Sequence, residues 1–176
     1  VFFKFLIIAL EILFTSCIAS PQGRFITQID GFLEPTHAIW LSDGNIAVAD
    51  RMADEIVIVS QTGIRISSTP SENTQRIIVT MDGQIQEDST SKYLKYPMWP
   101  TEEVRKHGIA SKCENGWIIP DELGHSIHHY DLDGNWIGKW GVHALLPHEG
   151  EGKLHYPNAV DVSPDGTKVV ICEGFE

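Results

Sequence analysis

The feature that most constrains this chain is an internal repeat in which an apolar run ends at an acidic residue. Residues 37–50 read HAIWLSDGNIAVAD, and residues 107–121 read HGIASKCENGWIIPD. In both copies an isoleucine follows the closing Asp by six positions and a glycine follows it by thirteen. A third copy opens with YPNAVDVSPDG at 156–166 and continues with VVICE at 169–173. Repetition at fixed spacing predicts a fold built from adjacent copies of one structural unit.

Each copy has the local chemistry of antiparallel strands. Short runs of β-branched and aromatic residues are interrupted by Asp-Gly or Asn-Gly pairs at 43–44, 115–116, 133–134 and 165–166. Such pairs accept positive φ and therefore form tight hairpin turns. The pattern predicts strands near 36–41, 45–50, 55–60 and 64–68, and again near 108–112, 116–120, 126–131 and 135–140. Four short strands per unit are typical of a β-propeller blade.

The repeat resembles the NHL repeat. The resemblance rests on DGNIAVADR at 43–51 and EIVI at 55–58, and on DELGHSI at 121–127 with Trp-Gly at 140–141. It implies an all-β, six-bladed propeller of NHL type, present here as an incomplete fragment of about three blades. The blade repeats are expected at about 36–68, 108–140 and 156–176, within a propeller region of 21–176. Residues 23–31 match the outermost strand of the second copy and are expected to form such a strand themselves.

A polar, Pro-containing insertion of about residues 69–106 separates the first two copies. The segment 76–86 within it has the pattern of a small extra hairpin. Long loops with aromatic residues often carry binding function, whereas a plain surface loop is the alternative.

The N-terminus has the pattern of a secretory leader. Lys4 precedes an apolar run at 5–14, which is followed by small residues up to Ser20. This pattern predicts a signal peptide at 1–20 and a secreted or periplasmic protein. The run is too short to span a membrane comfortably. A lipid anchor at Cys17 and a buried N-terminal helix are the alternatives. Cys113 and Cys172 would then remain, either as free thiols or as a disulfide, and free thiols are favoured.

The charge of the chain limits its partners. It carries 13 Lys and Arg against 24 Asp and Glu, for a formal net charge of -11. Nucleic acids and anionic membrane surfaces are repelled by this balance, so neither is an expected partner. The expected function is a binding or recognition platform, with a protein, peptide or small-molecule ligand at the channel face of the propeller.

Two histidines are candidate metal ligands. His37 and His107 occupy the same repeat position, at the start of the innermost strand, and such positions converge on the central channel. Two imidazoles there could share a zinc ion with a third ligand. Asn158 takes this position in the third copy and is a poor zinc ligand. The alternative is that each histidine only caps the start of its strand and binds no metal.

This pattern is similar to that of the lyases that release peptide amides from C-terminal α-hydroxyglycine. The resemblance implies six NHL blades, zinc held by three histidines, and an arginine and a tyrosine that act on the substrate. His37 and His107 match two ligands, and Arg51 matches the arginine. Asn158 departs from the pattern, and no tyrosine can be assigned. A zinc-dependent lyase is therefore the alternative function.

Other ionisable residues fit structural roles. Asp50 and Asp121 end equivalent strands, where Asp commonly caps a turn. His128 and His129 are neighbours on one predicted strand, so their side chains face opposite sides and cannot bind one ion together. His125, together with this pair, is expected to be solvent-facing or satisfied by local hydrogen bonds.

Overall fold

The computed structural model describes residues 10–12, 23–72, 74–88, 108–144 and 152–173. The strands are β1 (Leu10–Ile12), β2 (Gly23–Phe25), β3 (Pro35–Trp40), β4 (Ile46–Asp50), β5 (Glu55–Val59), β6 (Arg65–Pro70), β7 (Ile77–Val79), β8 (Ile85–Glu87), β9 (Ser111–Cys113), β10 (Gly116–Asp121), β11 (Ser126–Asp131), β12 (Trp136–Trp140), β13 (Val142–His143), β14 (Lys153–Leu154), β15 (Pro157–Val162) and β16 (Val169–Glu173). Within these ranges the only helical segment is a 3₁₀ turn at Arg51–Ala53, and no helix is long and apolar enough to cross a membrane. The chain is all-β, as predicted.

The first sheet is an antiparallel meander of four strands in the order β3-β4-β5-β6. The turn between β3 and β4 shows why the strands reverse where they do. Gly44 adopts φ 82°, and the Asp43 carboxylate accepts the backbone N–H of Asn45 at 2.9 Å. The Asp-Gly pair thus supplies both the positive φ and the side-chain acceptor that a tight turn needs.

The second sheet repeats this architecture, with the order β12-β11-β10-β9. A β-bulge between His129 and Tyr130 shifts the register of β11 against β12. The third sheet consists of the antiparallel pair β15-β16. The two four-stranded meanders and the two-stranded pair form an all-β fold of β-propeller type.

The third sheet packs between the other two. Side chains alternate across its strands, so each strand supplies apolar residues to both faces. One face places Ala159, Val170 and Cys172 against the core of the first sheet. The opposite face places Val160, Val169 and Ile171 against the second sheet. The third sheet therefore has a core on each side.

The inner strands of the second and third sheets also share backbone hydrogen bonds. Ile109 and Ala159 form a parallel bridge, in which the Ile109 N–H donates to Asn158 O at 2.8 Å and the Val160 N–H to Ile109 O at 2.9 Å. The strands that begin the two units thus run side by side in the same direction.

A hairpin formed by β7 and β8 lies inside the insertion, close to the predicted 76–86. Its Ile77 is fully buried against a cluster on the first sheet that contains Ile39, Ala47 and Ile56. These residues belong to the face that does not pack on the third sheet. The hairpin therefore covers the remaining apolar face of the first sheet.

The N-terminal strands differ from one expectation. Only Gly23–Phe25 of the expected outermost strand 23–31 is a strand, and it pairs with β1 rather than with a blade. Ile29 and Phe32, which follow it, are buried in the core between the first and third sheets. The apolar residues of this segment are thus used for packing, which leaves no extended edge strand there.

Candidate ligand site at the centre of the sheets

The first strands of the three sheets and of the hairpin line one cavity of about 350 Å³. Strand β3 contributes His37, Ile39 and Trp40, and the hairpin contributes Arg76 and residues 77–79. Strand β9 contributes Ser111 and Lys112 together with the preceding Ala110, and β15 contributes Val160 and Asp161. Because each of the three sheets contributes its first strand, we call this the central cavity.

Asp161 ties the three sheets together at this cavity. Its carboxylate accepts the backbone N–H of Trp40 at 2.8 Å and the hydroxyl of Ser111 at 2.8 Å. The Ser111 hydroxyl in turn accepts the N–H of Val162 at 3.2 Å. Burial raises the pKa of Asp161, while these hydrogen bonds act in the opposite direction. The carboxylate is therefore a desolvated acceptor whose partners come from both neighbouring sheets.

His37, a candidate metal ligand from the sequence, is buried at the wall of the cavity. Its Nδ1 accepts the backbone N–H of Ile77 at 3.2 Å. An acceptor Nδ1 requires the neutral ring to carry its proton on Nε2. Burial, with the nearby Arg76 guanidinium as the next cause, lowers the pKa of His37 to about 4. His37 thus connects the first sheet to the hairpin as a neutral imidazole.

His107, the second candidate ligand, lies outside the described residues. Its neighbour Gly108 is described, and a Cβ at that position would lie 2.1 Å from the carbonyl oxygen of Asn158. Only glycine allows the two inner strands to approach this closely. Asn158 has a buried side-chain oxygen without a hydrogen-bond partner among the described residues.

Arg51 lies in the 3₁₀ turn after β4, outside the cavity lining. Its guanidinium forms a bidentate ion pair with the Glu34 carboxylate, in which Nε lies 3.0 Å from Oε2. This pairing is the main cause of the raised pKa of Arg51. In the structure the side chain therefore fixes the segment that precedes β3, because Glu34 directly precedes that strand.

Asp50, at the end of β4, holds the same segment from the other side. Its two carboxylate oxygens accept the N–H groups of Leu33 and Glu34, both at 2.7 Å. Glu173 has the equivalent role in the third sheet, where it accepts the N–H of His155 at 2.8 Å. Asp121 instead accepts the N–H of Gly124 at 2.9 Å, within its own turn.

Two basic side chains and one acidic side chain line the cavity, namely Lys112, Arg76 and Asp161. Lys112 is exposed, with its Nζ 5.9 Å from the centre of the Trp117 ring. Arg76 places Nε 3.3 Å from the Asp88 carboxylate. Asp161 is held by its internal hydrogen bonds, so Lys112 is the charged group best placed to meet a ligand from solvent.

The His128 site resembles a catalytic triad in composition but not in geometry. The Trp136 indole N–H donates to Nδ1 of His128 at 3.2 Å, so Nε2 carries the proton. That nitrogen lies 3.1 Å from Ser126 Oγ and 3.8 Å from Asp121 Oδ2. A triad needs serine and carboxylate on opposite nitrogens, so His128 cannot activate Ser126 in that way.

The structure brings together three histidines that the sequence did not connect. His125, His143 and His155 each offer a ring nitrogen within 4.8 Å of the others. They are spread over 31 positions, and their meeting depends on the short parallel pairing of β13 with β14. A high local density of histidine was the only signal of this cluster in the sequence.

No protein-family model matches the chain, and no curated protein matches it either. Among solved structures it is similar to the hydrazine synthase of Kuenenia stuttgartiensis, with a TM-score of 0.30 and 9% identity over 83% of this chain and 31% of that one. It is also similar to a streptogramin B lyase, with a TM-score of 0.28 and 15% identity over 95% of this chain and 52% of that one. The chain spans less than two thirds of either protein, and similarities of this size do not indicate what it binds.

Proposed function

We propose that this chain is part of an exported, NHL-type β-propeller that binds a small ligand in its central cavity. The observation that carries the proposal is the convergence of four first strands on one cavity with hydrogen-bonding and basic side chains. A volume of about 350 Å³ is in the range of sites for small ligands. The rigid strands would hold the polar groups in place, as a binding site requires.

The charges favour a ligand with a carboxylate, such as the C-terminus of a short peptide. Lys112 and Arg76 are basic groups at the cavity, in a chain whose net charge is -11. A carboxylate would gain an ion pair with the Lys112 ammonium group, which is exposed at the cavity. An amidated peptide of the same sequence would lack the negative charge.

Calorimetric titration with matched peptides tests the proposal. Acetylated tripeptides with a free C-terminus should bind, and the same peptides with a C-terminal amide should bind at least tenfold more weakly. Lys112→Gln should remove most of this difference, because the variant lacks the ion-pairing charge. Arg65→Gln is the control, since Arg65 is exposed and pairs with Glu55 on the outer strands of the first sheet. Equal binding of acid and amide, or no binding, would refute the proposed site.

The alternative function, a zinc-dependent lyase, would use His37 and His107 as ligands and Arg51 at the substrate. The observation in its favour is the position of His37 at the cavity. Zinc there would require His37 to move its proton from Nε2 to Nδ1 and to lose the Ile77 hydrogen bond. Stoichiometric zinc that is lost in His37→Asn would favour the lyase over the binding platform.

Export is a separate part of the proposal. Expression with residues 1–20 intact should give a periplasmic or extracellular product shortened by that leader. Strand β1 lies within the leader, so cleavage would also remove the pairing partner of β2. Recovery of the uncleaved chain from the cytosol alone would contradict export. Palmitate labelling that depends on Cys17 would indicate the lipid-anchored alternative.

A further inference from the structure

Three histidines lie close together at one end of the second sheet, and none of them lines the central cavity. His125 lies in the turn between β10 and β11, His143 ends β13, and His155 follows β14. One ring nitrogen from each lies within 4.8 Å of the others. We propose that these three side chains bind a divalent late first-row transition-metal ion, with zinc as its representative. This site is distinct from the one that the sequence suggested at His37 and His107.

The backbone holds the three segments together independently of any ion. Strands β13 and β14 pair in parallel, with the Val142 N–H donating to Gly152 O and the Ala144 N–H to Leu154 O, both at 2.9 Å. A Cβ on Gly141 would lie 2.5 Å from the Leu154 side chain and 3.1 Å from His125 O. Glycine at 141 therefore allows the segments that carry His125, His143 and His155 to lie close to one another.

Two of the three rings are already oriented by the backbone. His155 Nδ1 lies 3.2 Å from the carbonyl oxygen of Ala144, which can only accept, so Nδ1 carries the proton and Nε2 has the lone pair. A backbone carbonyl on the second nitrogen is the usual support of a metal-binding histidine. His125 Nδ1 accepts the N–H of Tyr156 at 3.2 Å. Coordination through Nε2 of His125 therefore moves its proton to Nδ1 and ends the Tyr156 bond.

The backbone is also in an uncommon conformation at this site. The described residues include three non-glycine positions with positive φ, and two of them are His125 at 50° and Tyr156 at 48°. Such conformations are costly and are concentrated at functional sites. His125 occupies the same turn position as Asp54, whose φ is 51°. The turn geometry alone thus explains the positive φ of His125. It does not explain why three imidazole rings lie within reach of one ion.

Coordination needs only a small movement of the side chains. Zinc binds imidazole nitrogen at about 2 Å, so nitrogens around a tetrahedral ion lie about 3.3 Å apart. The rings of His125 and His143 are stacked with their centres 3.8 Å apart, and binding one ion requires them to turn their nitrogens inward. His143 is exposed and can rotate freely enough to do so. The centre of the His155 ring lies 6.1 Å from that of His125 and 6.3 Å from that of His143.

The ligand set indicates which ions fit. Neutral imidazoles suit zinc, copper(II) and nickel, whereas calcium and magnesium prefer oxygen ligands. His125 and His143 also line a cavity of about 540 Å³, together with Asp121, Ser126 and Lys139. Three protein ligands beside an accessible cavity leave a fourth position for water or an oxygen ligand, as in zinc sites that bind small molecules.

Zinc titration of the tag-free, chelator-treated full chain tests this proposal by calorimetry. We expect one zinc per chain with a micromolar or lower Kd, and no binding of magnesium. His143→Ala and His155→Ala should each weaken zinc binding at least tenfold. His143 is exposed, so its variant should keep the wild-type thermal unfolding midpoint.

His37→Asn is the matched control, because it removes a histidine from the central cavity and should leave zinc affinity unchanged. Nitrogen-15 NMR gives a second readout, in which zinc should shift the Tyr156 amide resonance in the wild type and not in His143→Ala. Absence of saturable binding would overturn the proposal. So would zinc binding that persists in both His143→Ala and His155→Ala, or that depends on His37 instead.

Discussion

The Ser111 hydroxyl donates to the Asp161 carboxylate at 2.8 Å, across the boundary between the second and third sheets. The other carboxylate oxygen accepts the Trp40 N–H from the first sheet at 2.8 Å. One half-buried side chain is thus held by the inner strands of both neighbouring sheets. Apolar contact has no preferred direction, whereas directed hydrogen bonds to the half-buried carboxylate favour one relative position of the sheets.

The docking of the hairpin on the first sheet gives the first prediction. Ile77 is 0% exposed and Val79 is 44% exposed, although both lie on β7. Ile77→Ala removes buried methyl groups from the cluster on the first sheet, so we expect a loss of about 2–4 kcal/mol in the free energy of unfolding. Urea unfolding measures this loss. Val79→Ala is the control and should cost less than about 1 kcal/mol. Equal losses would mean that the hairpin does not dock.

The buried His37 predicts a specific pH dependence of stability. Its pKa is about 4 in the folded protein and 6.5 in the unfolded chain. Between these values only the unfolded chain binds the proton. The contribution of His37 is therefore complete above pH 6.5 and is lost as pH falls towards 4, by up to about 3 kcal/mol.

His37→Asn tests this dependence, because Asn keeps an acceptor for the Ile77 N–H and does not titrate. Asn is also the residue at this repeat position in the third copy, Asn158. When the pH is lowered from 7 to 4.5, the urea concentration at the unfolding midpoint should fall less for the variant than for the wild type. Parallel pH profiles for the two proteins would show that His37 titrates normally.

The sequence predicted the strands well because each turn carries its own signal. Asp-Gly and Asn-Gly pairs such as Asp43-Gly44 mark the reversals, and the two full meanders follow from them. The order of the sheets could not be predicted in the same way. Strands β15 and β16 are apolar on both faces, so the alternation of their residues does not say which sheet each face meets.

The candidate sites were predicted less completely than the fold. The repeat register predicted His37 at a central channel, and in the structure His37 borders the central cavity, while its role as a metal ligand stays a prediction. Asp161 was not recognised, since its partners Trp40 and Ser111 are 121 and 50 positions away. The cluster of three histidines depends on a two-residue parallel pairing, which leaves no periodic pattern in the sequence.

The cysteines give a further prediction. Cys113 and Cys172 are free thiols, and Cys172 is fully buried between the first and third sheets. Burial raises the pKa of both thiols, which makes them poor nucleophiles. A chain without residues 1–20, purified without reductant, should show two reactive thiols in denaturant and much slower reaction when folded. The Cys172→Ala variant should show one reactive thiol in denaturant. Absence of any reactive thiol in the denatured parent chain would instead indicate a disulfide.

The joining of the sheets at Asp161 is tested most directly by a double-mutant cycle of Asp161→Ala and Ser111→Ala. Urea unfolding of the four proteins gives the coupling free energy between the two side chains. A hydrogen bond to a half-buried carboxylate predicts a coupling of about 1–3 kcal/mol. The pair Asp161→Ala and Met81→Ala, with Met81 fully exposed, should be additive. A coupling below about 0.5 kcal/mol between Asp161 and Ser111 would contradict the arrangement of the sheets around this carboxylate.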